Sequence, residues 1–137
     1  MACEVCRQER ETASWIYQNE LWSLGGPSWA SMPGYFILQL RRHAEGLEEL
    51  SDAEAESLGP LVKRISRVTR EVLGYPKTYL VFFGERYPHV HFAVVAVRDD
   101  LPEEHRGPGV LAYAQTFDDL PEAVRVADAV REHLGRH

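Results

Sequence analysis

Pro88-His89-Val90-His91-Phe92-Ala93-Val94-Val95 is the stretch whose reading decides this chain. Side chains alternate between the two faces of a β-strand. In a strand over His89–Val97, His89, His91 and Ala93 therefore point one way, and Val90, Phe92 and Val94 point into a core. Two imidazoles on one sheet face, backed by apolar residues, make a surface able to hold a metal ion or a phosphate. The plainer reading is two histidines alternating along a half-exposed strand.

Upstream, Thr78–Phe83 is nearly all β-branched or aromatic and reads as the partner strand, joined to it by Gly84-Glu85-Arg86-Tyr87-Pro88. Further back, Ser51-Asp52-Ala53-Glu54 is a capping box. Leu58, Leu61, Val62, Ile65, Val68 and Val72 follow at three- and four-residue steps, the period of an amphipathic helix. Gly74 is its expected stop. Gly59-Pro60 predicts a kink, or a short turn before the main helix, because proline lacks the backbone donor. Tyr35–Leu40 reads as another strand, after a loop over Ser28–Gly34. Trp15–Tyr17 and Leu21–Leu24 flank Gln18-Asn19-Glu20 as a hairpin. Asp119-Leu120-Pro121-Glu122 opens a last helix, with Leu120, Ala123, Ala127, Val130 and Leu134 on one side. Strands, helix, strands, helix define an α+β domain with a mostly antiparallel sheet, a long central helix and a C-terminal helix.

The 137 residues, 45% hydrophobic and 26% charged, fit one domain over 1–137 with its own core. Lys plus Arg number 15 against 21 Asp plus Glu, a net charge of −6 that argues against a nucleic-acid partner. Lys63, Arg64, Arg67 and Arg70 recur at helical spacing and read as a solvated face. Apolar runs are too short to cross a bilayer, so no membrane partner is expected. Met1-Ala2-Cys3-Glu4 lacks a signal pattern, which makes the cytoplasm the expected compartment. In that compartment Cys3 and Cys6 are metal ligands or redox thiols rather than a structural disulfide. A redox CxxC follows a strand and opens a helix, a context the sequence does not display. Two thiolates need two more ligands to close a tetrahedral site, and the histidines supply candidates. His105, His133 and His137 read as solvated. Asp99-Asp100 and Asp118-Asp119 read as loop and cap residues. Trp15, Trp22 and Trp29 read as core or interface rather than a ligand cage.

In this order the motifs resemble the histidine-triad (HIT) superfamily, from about residue 3 to about residue 97. Cys3-x-x-Cys6 is similar to its N-terminal zinc pair. Pro33–Leu38 followed by Arg42-His43 is similar to its Gly-His strand and the basic-histidine pair. Leu47–Glu56 is similar to the turn and helix entry that come next. Gly84-Glu85 and Pro88-His89-Val90-His91 are similar to the Gly-Gln lead-in and the triad strand. The resemblance implies a HIT-like fold and a structural Zn²⁺ held by Cys3, Cys6, His43 and His89. It implies that His91 is a nucleophile attacking the phosphorus of a nucleotide or nucleotide-like small molecule, and that the chain is a homodimer.

Several positions depart from that pattern. Ala93 stands at the third triad position, Tyr35 replaces the histidine of the Gly-His pair, and Glu85 replaces the glutamine. The position of the acidic residue that holds ribose hydroxyls falls near Pro27 or Ser28, neither of which can substitute for it, and Arg98 follows the triad one place late. The expected activity is a diverged nucleotide hydrolase or nucleotidyltransferase, with Tyr35 and Glu85 in the substrate pocket. The alternatives are a catalytically inactive, zinc-stabilised binding or scaffold protein, and a lyase or transferase in which Tyr35 and Glu85 act as acid or base. The segment after about residue 107 lies outside the resemblance and either covers the pocket or forms an interface.

Overall fold

The structure, a computed structural model, describes residues 3–12, 14–27 and 29–136. In chain order the elements are α1 (Glu4–Glu11), β1 (Tyr17–Gln18), β2 (Trp22–Gly25), β3 (Tyr35–Leu40), α2 (Asp52–Leu73), β4 (Lys77–Val81), β5 (His91–Val97), α3 (Gly109–Thr116) and α4 (Leu120–Arg136). The strands form one antiparallel sheet in the order β1-β2-β3-β5-β4.

Central β3 is buried at all six positions, because the sheet is covered on both faces. On one face Phe36, Leu38, Leu40, Phe92 and Val94 pack with Trp22 against Leu61, Ile65 and Val68 of α2 and Val126, Val130 and Leu134 of α4. On the other, Tyr35, Ile37, Ala93, Val95 and Val97 pack against Met32, Leu101 and, from α3, Val110 and Ala114. The histidine-bearing face of β5 is thus mostly a second core, opening to a pocket near His91. The register sets His91 beside Gln39 and Ala93 beside Ile37 of β3, with Val81 of β4 on the other flank.

The sequence-predicted helix and strands form with adjusted limits. β4 covers Lys77–Val81 rather than Thr78–Phe83, and β5 begins at His91, leaving His89 and Val90 in the approach to the strand. Val90 still donates to the Ala44 carbonyl at 2.7 Å, and its own carbonyl accepts from Leu40 N–H at 3.0 Å, so both are tied to the end of β3. α2 runs unbroken with Pro60 inside it, and no separate short turn precedes the main helix. Pro60 and Glu56, whose carbonyl loses its i+4 donor, are both exposed, so water can satisfy that oxygen. Gly74 ends α2 at φ +72°, a left-handed conformation that a side chain would strain.

Arg64 does not belong to a solvated face. It bonds the Leu134 carbonyl and lies 5.1 Å from the Tyr17 ring centroid, joining α2 to α4 and β1. Leu120 is 47% exposed, and Val126 takes the core position expected of it. Two further helices, α1 and α3, complete the architecture.

The end of β3 is anchored by three consecutive residues. Arg41 Nε donates to Glu9 of α1 at 2.8 Å, and Arg42 donates to both oxygens of Glu54 in α2 at 2.8 and 3.1 Å. His43 comes next. Glu54 also closes the capping box with Ser51, accepting from its N–H at 2.7 Å. The Arg42 guanidinium holds the buried Glu54 carboxyl at about 2, well below its ordinary 4.5, because the bonds it makes require the charged form. Stabilisation from a depressed carboxyl is complete above its unfolded value and vanishes as pH falls through the folded one. Glu54→Gln is therefore expected to lower stability by about 1–3 kcal/mol at neutral pH. It should also flatten the loss of stability between pH 4.5 and about 2. Chemical denaturation across that window measures both.

Candidate metal centre and pocket

Cys3 caps the N-terminus of α1, its sulfur accepting from the Cys6 N–H at 3.3 Å, and Cys6 lies in the first turn. The pair therefore opens a helix, contrary to the sequence expectation. One buried residue, Val5, and a set of polar bonds to Glu9 dock α1 on the sheet. Glu9 accepts from Ser23 Oγ at 3.0 Å, Gln39 Nε2 at 2.9 Å and Arg41 Nε at 2.8 Å. This docking carries both sulfurs to the far ends of β3 and β5.

There, one ligand atom from each of Cys3, Cys6, His43 and His89 lies within 4.8 Å of every other. His89 Nδ1 is 3.4 Å from each sulfur, and His43 Nδ1 is 3.3 Å from Cys6 Sγ and 3.3 Å from His89 Nδ1. A tetrahedral ion with sulfur at about 2.3 Å and nitrogen at about 2.05 Å needs nitrogen–nitrogen and sulfur–nitrogen edges of about 3.3 and 3.6 Å. The observed edges match to within a few tenths of an ångström.

The outer bonds fix the ring orientations. Buried His89 directs Nε2 at the Leu40 carbonyl, 2.6 Å away, and His43 directs Nε2 at the Glu45 carboxylate, 3.2 Å away. Both partners only accept, so each neutral ring carries its proton on Nε2 and presents an Nδ1 lone pair to the cluster. Two lone pairs facing each other across 3.3 Å, beside two sulfurs, repel unless a cation stands between them. The same crowding appears in the thiols. Burial, followed by the neighbouring Cys3, pushes Cys6 up to about 11. Burial also opposes ionisation of Cys3, but the bonds its sulfur makes, led by those with Cys6, outweigh this and lower it. Burial lowers His89 below the ordinary imidazole value, which keeps its lone pair available. The four residues thus fit a metal ion, with both imidazoles already oriented by second partners.

Two residues beyond His89, His91 has a different environment. Its Nδ1 donates to the His89 carbonyl at 2.6 Å, leaving the Nε2 lone pair for the open pocket of about 450 Å³ that the ring lines. Three aromatic rings surround it. Trp29 lies nearly parallel at a centroid distance of 6.3 Å, and Phe82 and Tyr87 stand edge-on, each at 6.3 Å. Tyr87 also meets Trp29 edge-to-face at 5.7 Å. Gly84, at φ +74°, lets the chain turn back over Phe82, where a Cβ would come within 2.6 Å of that ring.

Tyr35 and Glu85 line this pocket with Ala93, so the structure brings both to His91. Burial raises the Tyr35 phenol above its ordinary value. Trp29 and Tyr87 are functional candidates that the sequence reading did not select. Trp29 sits in a loop with no periodic signal, and Tyr87 was visible only as the neighbour of Pro88. Leu111 and Gln115 of α3 reach the rim, so part of the segment after residue 107 covers the pocket. His105 stacks on Tyr113 at 4.4 Å and His133 Nδ1 bonds the Ala129 carbonyl, so neither is freely solvated. Pro27 lines a separate groove beside Trp15, whereas Ser28 and His137 lie outside the described residues. No helix among the described residues is long and apolar enough to cross a membrane.

This architecture is the histidine-triad fold, as comparison with solved structures shows. A hypothetical histidine triad nucleotide-binding protein from Sulfolobus tokodaii superposes at a TM-score of 0.74 with 14% identity, covering 98% of this chain and 93% of that one. A zinc-bound histidine triad family protein from Mycobacterium smegmatis gives a TM-score of 0.73 with 19% identity, covering 99% and 97%. A uridylyltransferase mutant gives 0.72 with 25% identity over 98% of this chain, which spans 48% of that longer one. No protein-family model and no curated protein matches the sequence.

Replacing both thiols tests the metal centre. A Cys3→Ser, Cys6→Ser chain is expected to lose its bound metal, measured by inductively coupled plasma mass spectrometry. Its melting temperature should fall by on the order of 10 °C, since metal-binding energy here is folding energy. An unchanged metal content contradicts the assignment.

Proposed function

We propose that this chain is a zinc-stabilised histidine-triad-fold enzyme that transfers a nucleotidyl group through a covalent adduct on His91. The observation that carries the reading is the 2.6 Å bond from His91 Nδ1 to the His89 carbonyl, which commits the other nitrogen to the pocket. A nucleophilic imidazole needs this arrangement: one nitrogen anchored, the opposite lone pair presented to phosphorus.

Cys3, Cys6, His43 and His89 would hold the zinc. All four positions are taken by protein, so the ion would be structural, joining α1 to the ends of β3 and β5, with no open position for a reacting water. Trp29 and Tyr87 provide rings on which a nucleobase can stack, a mode that tolerates different bases. Arg86, which also lines the pocket, supplies positive charge for a phosphate, and Tyr35 and Glu85 complete the substrate-binding surface. Cleavage proceeds as Nε2 of His91 attacks the α-phosphorus while the phosphorus–oxygen bond to the leaving group breaks and that oxygen keeps the electron pair, and a second molecule, water or another acceptor, then attacks the same phosphorus and returns the phosphorus–nitrogen electron pair to the histidine. A homodimer is the expected assembly. In its support, β4 is an edge strand, and it presents Leu80 at 44% exposure with Phe83 at 67% just beyond.

Ala93 favours a second reading, a binding protein without turnover, because a methyl offers no group for proton transfer. One experiment separates the two. Incubation with nucleotide sugars, dinucleoside polyphosphates and nucleoside phosphoramidates should yield turnover, and a nucleotidyl adduct visible by intact-protein mass spectrometry after acid-free quenching. His91→Ala should abolish the adduct and lower turnover by at least about 10³. Binding without turnover on any of these favours the second reading, and turnover that survives His91→Ala overturns the mechanism.

A further inference from the structure

We propose that the cavity between α3 and the far end of β5 is a binding site for a small monocarboxylate with an apolar tail of about three to five carbons. The site lies at the opposite end of β5 from the metal cluster and does not depend on the role of His91. No local sequence signal marks it, because its residues come from four separate stretches of the chain.

Packed interiors leave few voids larger than a water molecule, so a hollow with fixed walls calls for an occupant. Ala96 and Val97 of β5 line this one, with Met32 from the loop before β3, Leu101 from the loop after β5, Val110 of α3 and Phe117 just beyond it. It measures about 50 Å³. A water-sized group takes about 10–15 Å³, so roughly three to five such groups fit. Hydrogen bonds hold the walls apart. Arg106 donates from Nε to the Leu101 carbonyl at 2.8 Å and from a terminal nitrogen to the Asp99 carbonyl, which fixes the loop after β5. Gly107 N–H donates to the Tyr79 hydroxyl at 3.1 Å, tying the entry of α3 to β4. Beyond its end, Asp118 pairs with Ser31 of the loop before β3. α3 is thereby a partition, with Val110, Tyr113 and Phe117 on this cavity and Leu111 and Gln115 on the pocket of His91.

The polar groups of the lining give the sign of the ligand. Arg98 is the one charged residue among the described residues that line the cavity, and no carboxylate accompanies it there. Its single partner is Asp100, which meets Nε at 3.3 Å and is itself 78% exposed. The two terminal nitrogens, the fork that grips a carboxylate at both oxygens, make no hydrogen bond among the described residues. The hydroxyls of Tyr75 and Tyr113, which also line the cavity, engage no protein group among them either. His105 holds the Tyr113 ring in place by stacking on it at 4.4 Å. A guanidinium fork and two unpaired hydroxyls beside an apolar hollow suit a ligand with an anionic, accepting head and a short hydrocarbon tail.

The test is a nuclear magnetic resonance titration of the full metal-loaded chain with straight-chain carboxylates from acetate to octanoate, and with pentanamide. Affinity is expected to rise about fourfold per added carbon while the tail is being buried. It should stop rising between pentanoate and hexanoate, where the cavity is full. Pentanamide, which has the same tail without the charge, should bind at least about fivefold more weakly than pentanoate. Arg98→Gln should erase that preference, and Val110→Phe, which fills the cavity, should abolish binding of both. Metal content and melting temperature report that each variant is folded. Arg98 is exposed, so its variant and the native series decide the question even if Val110→Phe does not fold. Binding of no member of the series overturns the proposal. So does an affinity that keeps climbing through octanoate, an amide that binds as well as its acid, or a preference that survives Arg98→Gln.

Discussion

Two Nδ1 lone pairs 3.3 Å apart, facing two sulfurs, are the constraint on which the rest of the structure depends. Each imidazole is oriented from behind by an acceptor that removes its freedom to turn, His89 by the Leu40 carbonyl and His43 by the Glu45 carboxylate. The donors come from α1, from the residues after β3 and from the residues before β5. A cation among them converts three chain segments, distant in sequence, into one rigid corner. The same corner sets the pocket. His89 gives its ring to the cluster and its backbone carbonyl to His91 Nδ1, so one residue fixes both the metal ligand and the tautomer of the candidate nucleophile.

The polar network around that corner distributes its anchoring through consecutive residues. Arg41, Arg42 and His43 diverge from the end of β3 to three destinations: Glu9 on α1, Glu54 at the start of α2, and the metal-ligand cluster. Glu9 in turn gathers Ser23, Gln39 and Arg41, so a helix with a single buried side chain is held mainly by charge-assisted bonds. The arrangement explains how a short polar segment at the start of the chain can be placed accurately enough to supply two ligands.

What was legible in the sequence was whatever repeats with a period or carries a strong local signal. Tyr35–Leu40 reads as a strand because its residues are β-formers throughout, and α2 announces itself by its capping box and its apolar spacing. The four-residue cluster was legible as a candidate site through resemblance, since spacing alone ties Cys3 to Cys6 but not to residues 37 to 86 positions away. The missing parts lack a periodic signal. α1 has only Val5 to bury, and α3 follows Pro108-Gly109 with scant amphipathic contrast. Pro60 breaks a local rule without breaking the helix, because the carbonyl it leaves unpaired lies on an exposed face. Trp29 and Tyr87 reach His91 from loops, where the fold rather than the residue pattern decides what meets what. The expectation that His89 and His91 share one exposed strand face gave way to a division of labour, with His89 before the strand in the metal cluster and His91 within it on the pocket.

The central claim is that the four residues bind one zinc ion and so set the corner that aims His91. Zinc K-edge X-ray absorption on the purified native chain tests it most directly. The account predicts one zinc per chain with two sulfur neighbours at about 2.3 Å and two nitrogen neighbours at about 2.0 Å. A chain without zinc, or a shell of oxygen and nitrogen alone, would contradict it.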